Sequence, residues 1–344
     1  MIYFNNDYAE GCHEAVLQAL IRTNMEQTPG YSEDKYCAAA AAKIRKLCGR
    51  ADVAVHFLVG GTQTNLTVID AALRPHQGAL CADSGHINVH ETGAVEATGH
   101  KVLPMPSVDG KISAAQVKEA VLLHRADGAF EHIVQPKLVY ISHPTEYGTL
   151  YTLQELTELS ETCRKYGLPL FLDGARLGYG LAAEDTDVTL QDIARLCNVF
   201  YIGGTKVGAL FGEAVVITDP ALQKDFRYMM KRGGGMLAKG WLLGIQFETL
   251  FQNGLYLKLG KHAVSLAYLI RDAFRNKGIS FIMESSTNQQ FPILTNKQME
   301  TLSGEFAFTY WEKVDEEHSA VRFCTSWATK KEQVDALIRA IEQL

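Results

Sequence analysis

The sequence predicts an α/β fold with a large, mainly parallel sheet, followed by a smaller C-terminal α+β domain. Three observations predict it. Between about residues 50 and 220, short apolar runs alternate with amphipathic helical patterns, the order of a parallel sheet with crossover helices. Those runs lack polar alternation, as strands covered on both faces do. After about residue 250 the alternation gives way to helical patterns, short strands and a closing helix. The expected division is 1–250 for the large domain, with an N-terminal arm, and 251–344 for the small one.

Along the chain, the five alanines after Cys37 favour helix. The expected strands are "VAVHFLV" (53–59), "GALCAD" (78–83), "KVLPM" (101–105), "KLVYIS" (137–142), "LPLFLD" (168–173), "NVFYIG" (198–203) and "EAVVIT" (213–218). Between them, "SAAQVKEAVLL" opens with Ser113 and Gln116 at capping-box spacing. "TLQELTELSETCRKYG" repeats the device with Thr152 and Glu155, turns Leu153, Leu156, Leu159 and Cys163 to one face, and ends before Gly167. Two helical stretches fill roughly 240–277. The last segment, "TKKEQVDALIRAIEQL", has cap spacing at Thr329 and Glu332, with Val334, Leu337, Ile338, Ile341 and Leu344 on one face.

Composition narrows the function. The 344 residues, enough for one large or two ordinary domains, are 47% hydrophobic and 21% charged, ordinary for a soluble globular protein. A net charge of −6 without a Lys/Arg block weighs against nucleic acid or an anionic membrane as partner. No apolar run approaches the ~18 residues of a membrane span, and the N-terminus does not read as a signal peptide. The seven cysteines include no CxxC pair, so reduced thiols in a cytoplasmic protein are expected. No Cys/His cluster has ligand spacing, and no metal site is expected.

Four segments offer chemistry at the carboxyl ends of strands, where open α/β sheets bind ligands. In "FLVGGTQTNLTVIDAAL" a strand runs through Gly60, Gly61 and Thr62 into a helix expected to begin near Thr64, a setting that binds phosphate. It lacks the P-loop and GxGxxG patterns. In "LPLFLDGARLGYG" Asp173 ends a strand and Arg176 follows three residues on; a local ion pair is the plain alternative. In "NVFYIGGTKVGALFGEAVVIT" Lys206 stands on a glycine-rich turn between two apolar runs, costly if ionised and unpaired, apt if its amine forms a Schiff base. "DSGHINVHETGA" places His86, His90 and Glu91 after another strand, as packed histidine, cap or ligand. Pyridoxal phosphate needs this combination: donors for a phosphate, an amine for its aldehyde, and a carboxylate that keeps the pyridine nitrogen protonated.

With "GGTQTN", "HINVHETGA", "FLDGARL" and "GGTKVG" in this order, the chain resembles the threonine aldolase branch of the fold-type-I, pyridoxal-phosphate-dependent β-eliminating lyases. The likeness is to the low-specificity L-threonine and phenylserine aldolases, from "NNDYAEG" to "VRFCTSW". It implies that Lys206 binds the cofactor covalently, Asp173 pairs with its ring nitrogen and His86 stacks on the ring. It makes Gly61, Thr62 and Thr205 phosphate contacts, with Gly60 and Asn65 lining the loop. Arg176 and Arg322 match positions that hold the substrate carboxylate, Asn6 matches a serine-type carboxylate contact, and Tyr31 matches a tyrosine reaching the neighbouring subunit's site. A homodimer or homotetramer follows. Where many members carry Glu-Asn-Thr-His, this chain has "SHPTEYG", so Glu146 takes the histidine's position at the substrate. The implied reaction is cleavage of L-threonine, allo-threonine or phenylserine to glycine and an aldehyde, with His86, a water or Glu146 as base. Alternatives are a β-eliminating lyase for another amino acid and a catalytically silent cofactor-binding homologue.

Overall fold

The seven apolar runs expected as strands all join one sheet. The structure is a computed structural model that describes residues 1–344. In chain order its strands are β1 (Ile2–Tyr3), β2 (Ala54–Leu58), β3 (Gln77–Ala82), β4 (Lys101–Met105), β5 (Gln135–Ser142), β6 (Leu170–Asp173) and β7 (Val199–Gly203). There follow β8 (Glu213–Ile217), β9 (Phe281–Met283), β10 (Gln289–Thr295), β11 (Phe306–Ala307), β12 (Thr309–Lys313) and β13 (His318–Cys324). The large sheet runs β2-β8-β7-β6-β5-β3-β4. Its pairs are parallel except those of β8, which is antiparallel to both neighbours.

Both faces of this sheet are apolar because successive side chains feed opposite cores. Leu138, Tyr140, Phe171, Val199 and Tyr201 enter one core, while Val139, Ile141, Leu172, Phe200 and Ile202 enter the other. Helix 61–72 covers the first face with Val68 and Ile69; helix 153–166 covers the second with Leu156, Leu159 and Cys163.

Glycine brings the loops after β6 and β7 into contact. A Cβ on Gly174 would lie 1.9 Å from the Tyr201 carbonyl oxygen, and one on Gly203 would lie 2.2 Å from that of Ala175. Any larger residue would force apart the two loops that carry Arg176 and Lys206.

The C-terminal part holds a four-stranded antiparallel sheet, β12-β13-β10-β9, on a third core shared with helices 255–276 and 331–342. The N-terminal arm is stitched to it: β1 pairs parallel with β11, and Phe4 is buried in that core. No helix is long and apolar enough to cross a membrane.

The boxes at Ser113/Gln116 and Thr152/Glu155 form as expected. Two expectations need correction. The helix after the glycine pair begins at Gly61, not near Thr64, because Gly60 already serves as its N-cap residue. The final helix is capped one residue later than expected: the Lys330 amide donates to Gln333, while Thr329 Oγ1 instead accepts from the Ser326 amide.

Candidate active site

One cavity at the strand-end rim gathers most of the expected residues. Gly60, Gly61 and Thr62 line one end, His86 and Glu146 one side, and Asp173, Arg176, Thr205 and Lys206 the rest. At the glycine end the amides of residues 61–63 have no intrahelical acceptor, as at any helix start, and no side chain caps the helix, a setting suited to an anion. A Cβ on Gly61 would come within 3.1 Å of the Tyr201 hydroxyl, crowding this cradle.

Asp173, only 4% exposed, is held by four donors. Its Oδ1 accepts from Tyr201 Oη at 2.5 Å and from the Ala175 amide at 2.9 Å. Its Oδ2 accepts from Tyr140 Oη at 2.5 Å and from Asn65 Nδ2 at 3.1 Å. Burial alone would raise this carboxyl, but His86, the two tyrosine hydroxyls and the Ala175 amide outweigh it, and the group stays ionised below its ordinary range. Asn65 also donates to Glu91 Oε1 at 2.7 Å, and the same oxygen lies 2.7 Å from His86 Nδ1. The imidazole is thus oriented by a buried carboxylate, which leaves Nε2 for the cavity.

Lys206 stands on the turn after β7, where Tyr179 Oη donates to its carbonyl oxygen at 2.5 Å. Burial lowers the pKa of its amine; Arg176 adds to this, against the pull of Asp7, Asp173 and Glu213. A lowered pKa favours the neutral amine, the nucleophilic form. Glu146 Oε1 accepts from the His86 amide at 3.0 Å and from Ser142 Oγ at 2.7 Å. Burial raises its pKa; the Ser142 bond opposes this and the Asp173 charge reinforces it.

Arg322 lines an adjoining cavity that shares Tyr8, His86, Glu146, Arg176 and Lys206 as its walls. Its Nη1 donates to Gln289 Oε1 at 3.2 Å, its Nη2 to the Asn5 carbonyl at 3.1 Å, and its guanidinium lies 5.3 Å from the Trp311 ring centre. Three expected residues line neither cavity; one of them, Asn65, is fully buried and reaches the site only through its bonds to Asp173 and Glu91. Asn6 accepts from the Tyr8 amide beside the cavity without lining it. Tyr31 is exposed, with positive φ, on a separate surface beside Arg227 and Lys231.

Sequence reasoning missed Asp7, Tyr140, Tyr201 and Glu213. The tyrosines carried a signal: on their strands they share the Phe171 face of the sheet, the face of Asp173. Asp7 and Glu213 carried none until strand order and direction were known.

The donor set fits pyridoxal phosphate: free amides at a helix start, an amine of lowered pKa, and an ionised buried carboxylate. Comparison with known proteins agrees. The family model described as beta-eliminating lyase matches residues 6–301. The chain belongs to the beta-eliminating lyase family. Lyases similar to it include the low specificity L-threonine aldolase of Pseudomonas sp. (strain NCIMB 10558), 28% identical and aligned over 98% of this chain and 97% of that one. Another is that of Saccharomyces cerevisiae, 25% identical over 83% and 71%. Among solved structures, a Leishmania major threonine aldolase superposes with a TM-score of 0.97 at 44% identity, covering 100% of this chain and 99% of the other. An aspartate aminotransferase of Thermus thermophilus, at 13% identity and a TM-score of 0.70 over 100% and 91%, shares the fold alone. The lyase has the fold of the fold-type-I enzymes, and its cofactor is pyridoxal phosphate.

Proposed function

We propose that this lyase cleaves L-threonine or related L-β-hydroxy-α-amino acids, such as allo-threonine and phenylserine, to glycine and an aldehyde. One observation carries the reading: the Lys206 amine, the Asp173 carboxylate and the uncapped helix start share a cavity with Arg176 on its wall. Lys206 would hold the cofactor covalently, Asp173 its ring nitrogen, and the 61–63 amides with Thr62 and Thr205 its phosphate. Once bound, the cofactor accepts the electron pair released at the substrate α-carbon.

The remaining steps belong to the chain. Arg176 and Arg322 take the substrate carboxylate, since planar guanidinium groups match it better than ammonium. His86 Nε2, freed by the Nδ1 contact to Glu91, takes the β-hydroxyl proton as the aldehyde leaves. Glu146, on the same wall, is the second group positioned to move that proton.

The reading includes a division at residues 250/251, supported by the four-stranded sheet's lying wholly after residue 280. It also includes a homodimer or homotetramer in which Tyr31 serves the neighbouring subunit, supported by its place outside this chain's cavity. A cytoplasmic location is in keeping with seven free cysteines.

Purified protein given L-threonine, allo-threonine and phenylserine should release glycine and the matching aldehyde. Pyruvate and ammonia would instead mark a β-eliminating lyase. A spectral change with glycine and no turnover would mark a cofactor-binding protein without catalysis.

A further inference from the structure

Thr205 and Glu213 face each other across the turn that carries Lys206. Because β8 runs against its neighbours, its first residue, Glu213, lies at the rim where the parallel strands end. Its cross-strand partner Leu58 is two residues before Gly60, so this carboxyl, 4% exposed, stands beside the anion cradle. Oε2 accepts from the Gly204 amide at 3.0 Å, and Oε1 lies 2.8 Å from Thr205 Oγ1. Thr205 Oγ1 also accepts from the Gly212 amide at 3.0 Å. With Glu213 ionised, the single Thr205 proton points at Glu213, and the hydroxyl has nothing to give an anion. The carboxylate would also repel a phosphate dianion in a poorly solvated site.

We propose that Glu213 is a positioning residue that binds a proton together with the cofactor phosphate, donates it to Thr205 Oγ1, and so turns the Thr205 hydroxyl toward the phosphate. This rests on reading residues 61–63 as the phosphate cradle. The exchange balances: above about pH 8 Glu213 takes one proton from solvent, below it the proton is already in place, and Thr205 keeps its own proton but changes acceptor. Oγ1 then accepts from Glu213 and Gly212 and donates once, a full hydroxyl complement. Oε2 keeps the Gly204 amide throughout.

The surroundings favour the protonated form. Burial is the largest influence; the Thr205 and Gly204 bonds and the Lys206 charge oppose it, Asp173 reinforces it, and the carboxyl is pushed up to about 8. Tyr201 and Tyr256, also packed nearby, keep their protons, their pKa values raised by burial and by this same carboxyl. The other neighbours, Leu58 on β2 and Leu243 and Phe247 around Gly212, carry no charge.

The test is equilibrium binding of pyridoxal phosphate, and of pyridoxal lacking the phosphate, to the full chain between pH 6 and 10, read by visible absorption and tryptophan fluorescence. In Glu213→Gln the amide donates to Thr205 at every pH. Relative to that variant, wild-type affinity for pyridoxal phosphate should fall about tenfold per pH unit above about pH 8, the signature of one linked proton. Pyridoxal, which meets the Lys206 amine but brings no phosphate, should show a much smaller difference between the two proteins. Thr205→Val, which keeps the shape and removes the hydroxyl, should weaken pyridoxal phosphate binding at pH 7 about tenfold. Superimposable wild-type and Gln profiles, an equal effect on pyridoxal, or an unaffected Thr205→Val would overturn the inference alone. Failure of wild-type protein to bind pyridoxal phosphate at any pH would overturn the cradle reading as well.

Discussion

Arg176 is clamped by Asp7: Nε donates to Oδ2 at 2.7 Å and Nη2 to Oδ1 at 3.0 Å. Asn288 Nδ2 adds a third bond to Asp7, at 2.9 Å. One edge of the guanidinium is thus taken by the chain's own arm, and the Nη1 protons with the second Nη2 proton remain for a substrate carboxylate. The same arm holds Arg322 through the Asn5 carbonyl. Residues 5–7 therefore set both arginines that the resemblance assigns to the substrate, one from each part of the molecule.

Asp7→Asn should cost about 3 kcal/mol of stability, since it leaves a buried guanidinium without its counter-charge. It should also raise KM for the amino acid more than it lowers kcat. Chemical denaturation and steady-state kinetics check both; a variant with wild-type KM would show that the clamp does not position Arg176.

Asp7 should also set part of the acid stability. Burial pushes its carboxyl up, but Arg176, Lys206 and Asn288 hold it down at about 2, below its ordinary 3.8. A depressed folded-state value stabilises above the ordinary pKa and is lost as pH falls through the folded one. About 2 kcal/mol should therefore disappear between pH 4 and 2. Urea midpoints across that window should fall more steeply in wild type than in Asp7→Asn, and equal slopes would contradict the assignment.

Lys206→Ala should remove the lysine-dependent visible absorption of the cofactor and slow turnover at least a thousandfold, roughly 4 kcal/mol of barrier. An unchanged spectrum would refute the covalent role.

Asp173→Asn should retain the cofactor and lower kcat about a hundredfold or more, because a neutral amide cannot keep the ring nitrogen protonated. Absorption spectra separate retention from loss, and wild-type kcat would show that the carboxylate is not the electron-sink partner.

His86→Asn should lower kcat/KM about a hundredfold or more, within the range for a lost general base, and Glu146→Gln about tenfold or less. The order follows from burial, which raises the Glu146 pKa and favours its protonated form, a poor base. The reverse order in a pH profile of both variants would make Glu146 the base.

Much of this architecture was legible locally. Apolar runs such as 137–142 and 168–173 read as doubly covered strands, and Ser113 with Gln116 read as a cap, because each depends on neighbours a few residues away. The helix start at Gly61 was misplaced because Gly60 caps with no side-chain signature. Arg176 was legible as a strand-end cation, but its partner Asp7, 169 residues earlier, was not.

The sequence by itself determined the strand ends, and hence that Asp173 and Lys206 share a rim, because periodicity and glycine placement act over short range. Only the tertiary structure decided which groups surround them. Strand order sets Tyr140 and Tyr201 on either side of Asp173, the reversed direction of β8 brings Glu213 to that rim, and the folded-back arm delivers Asp7 to Arg176. Such contacts join residues far apart in the chain, and their pairing is set by how the layers pack.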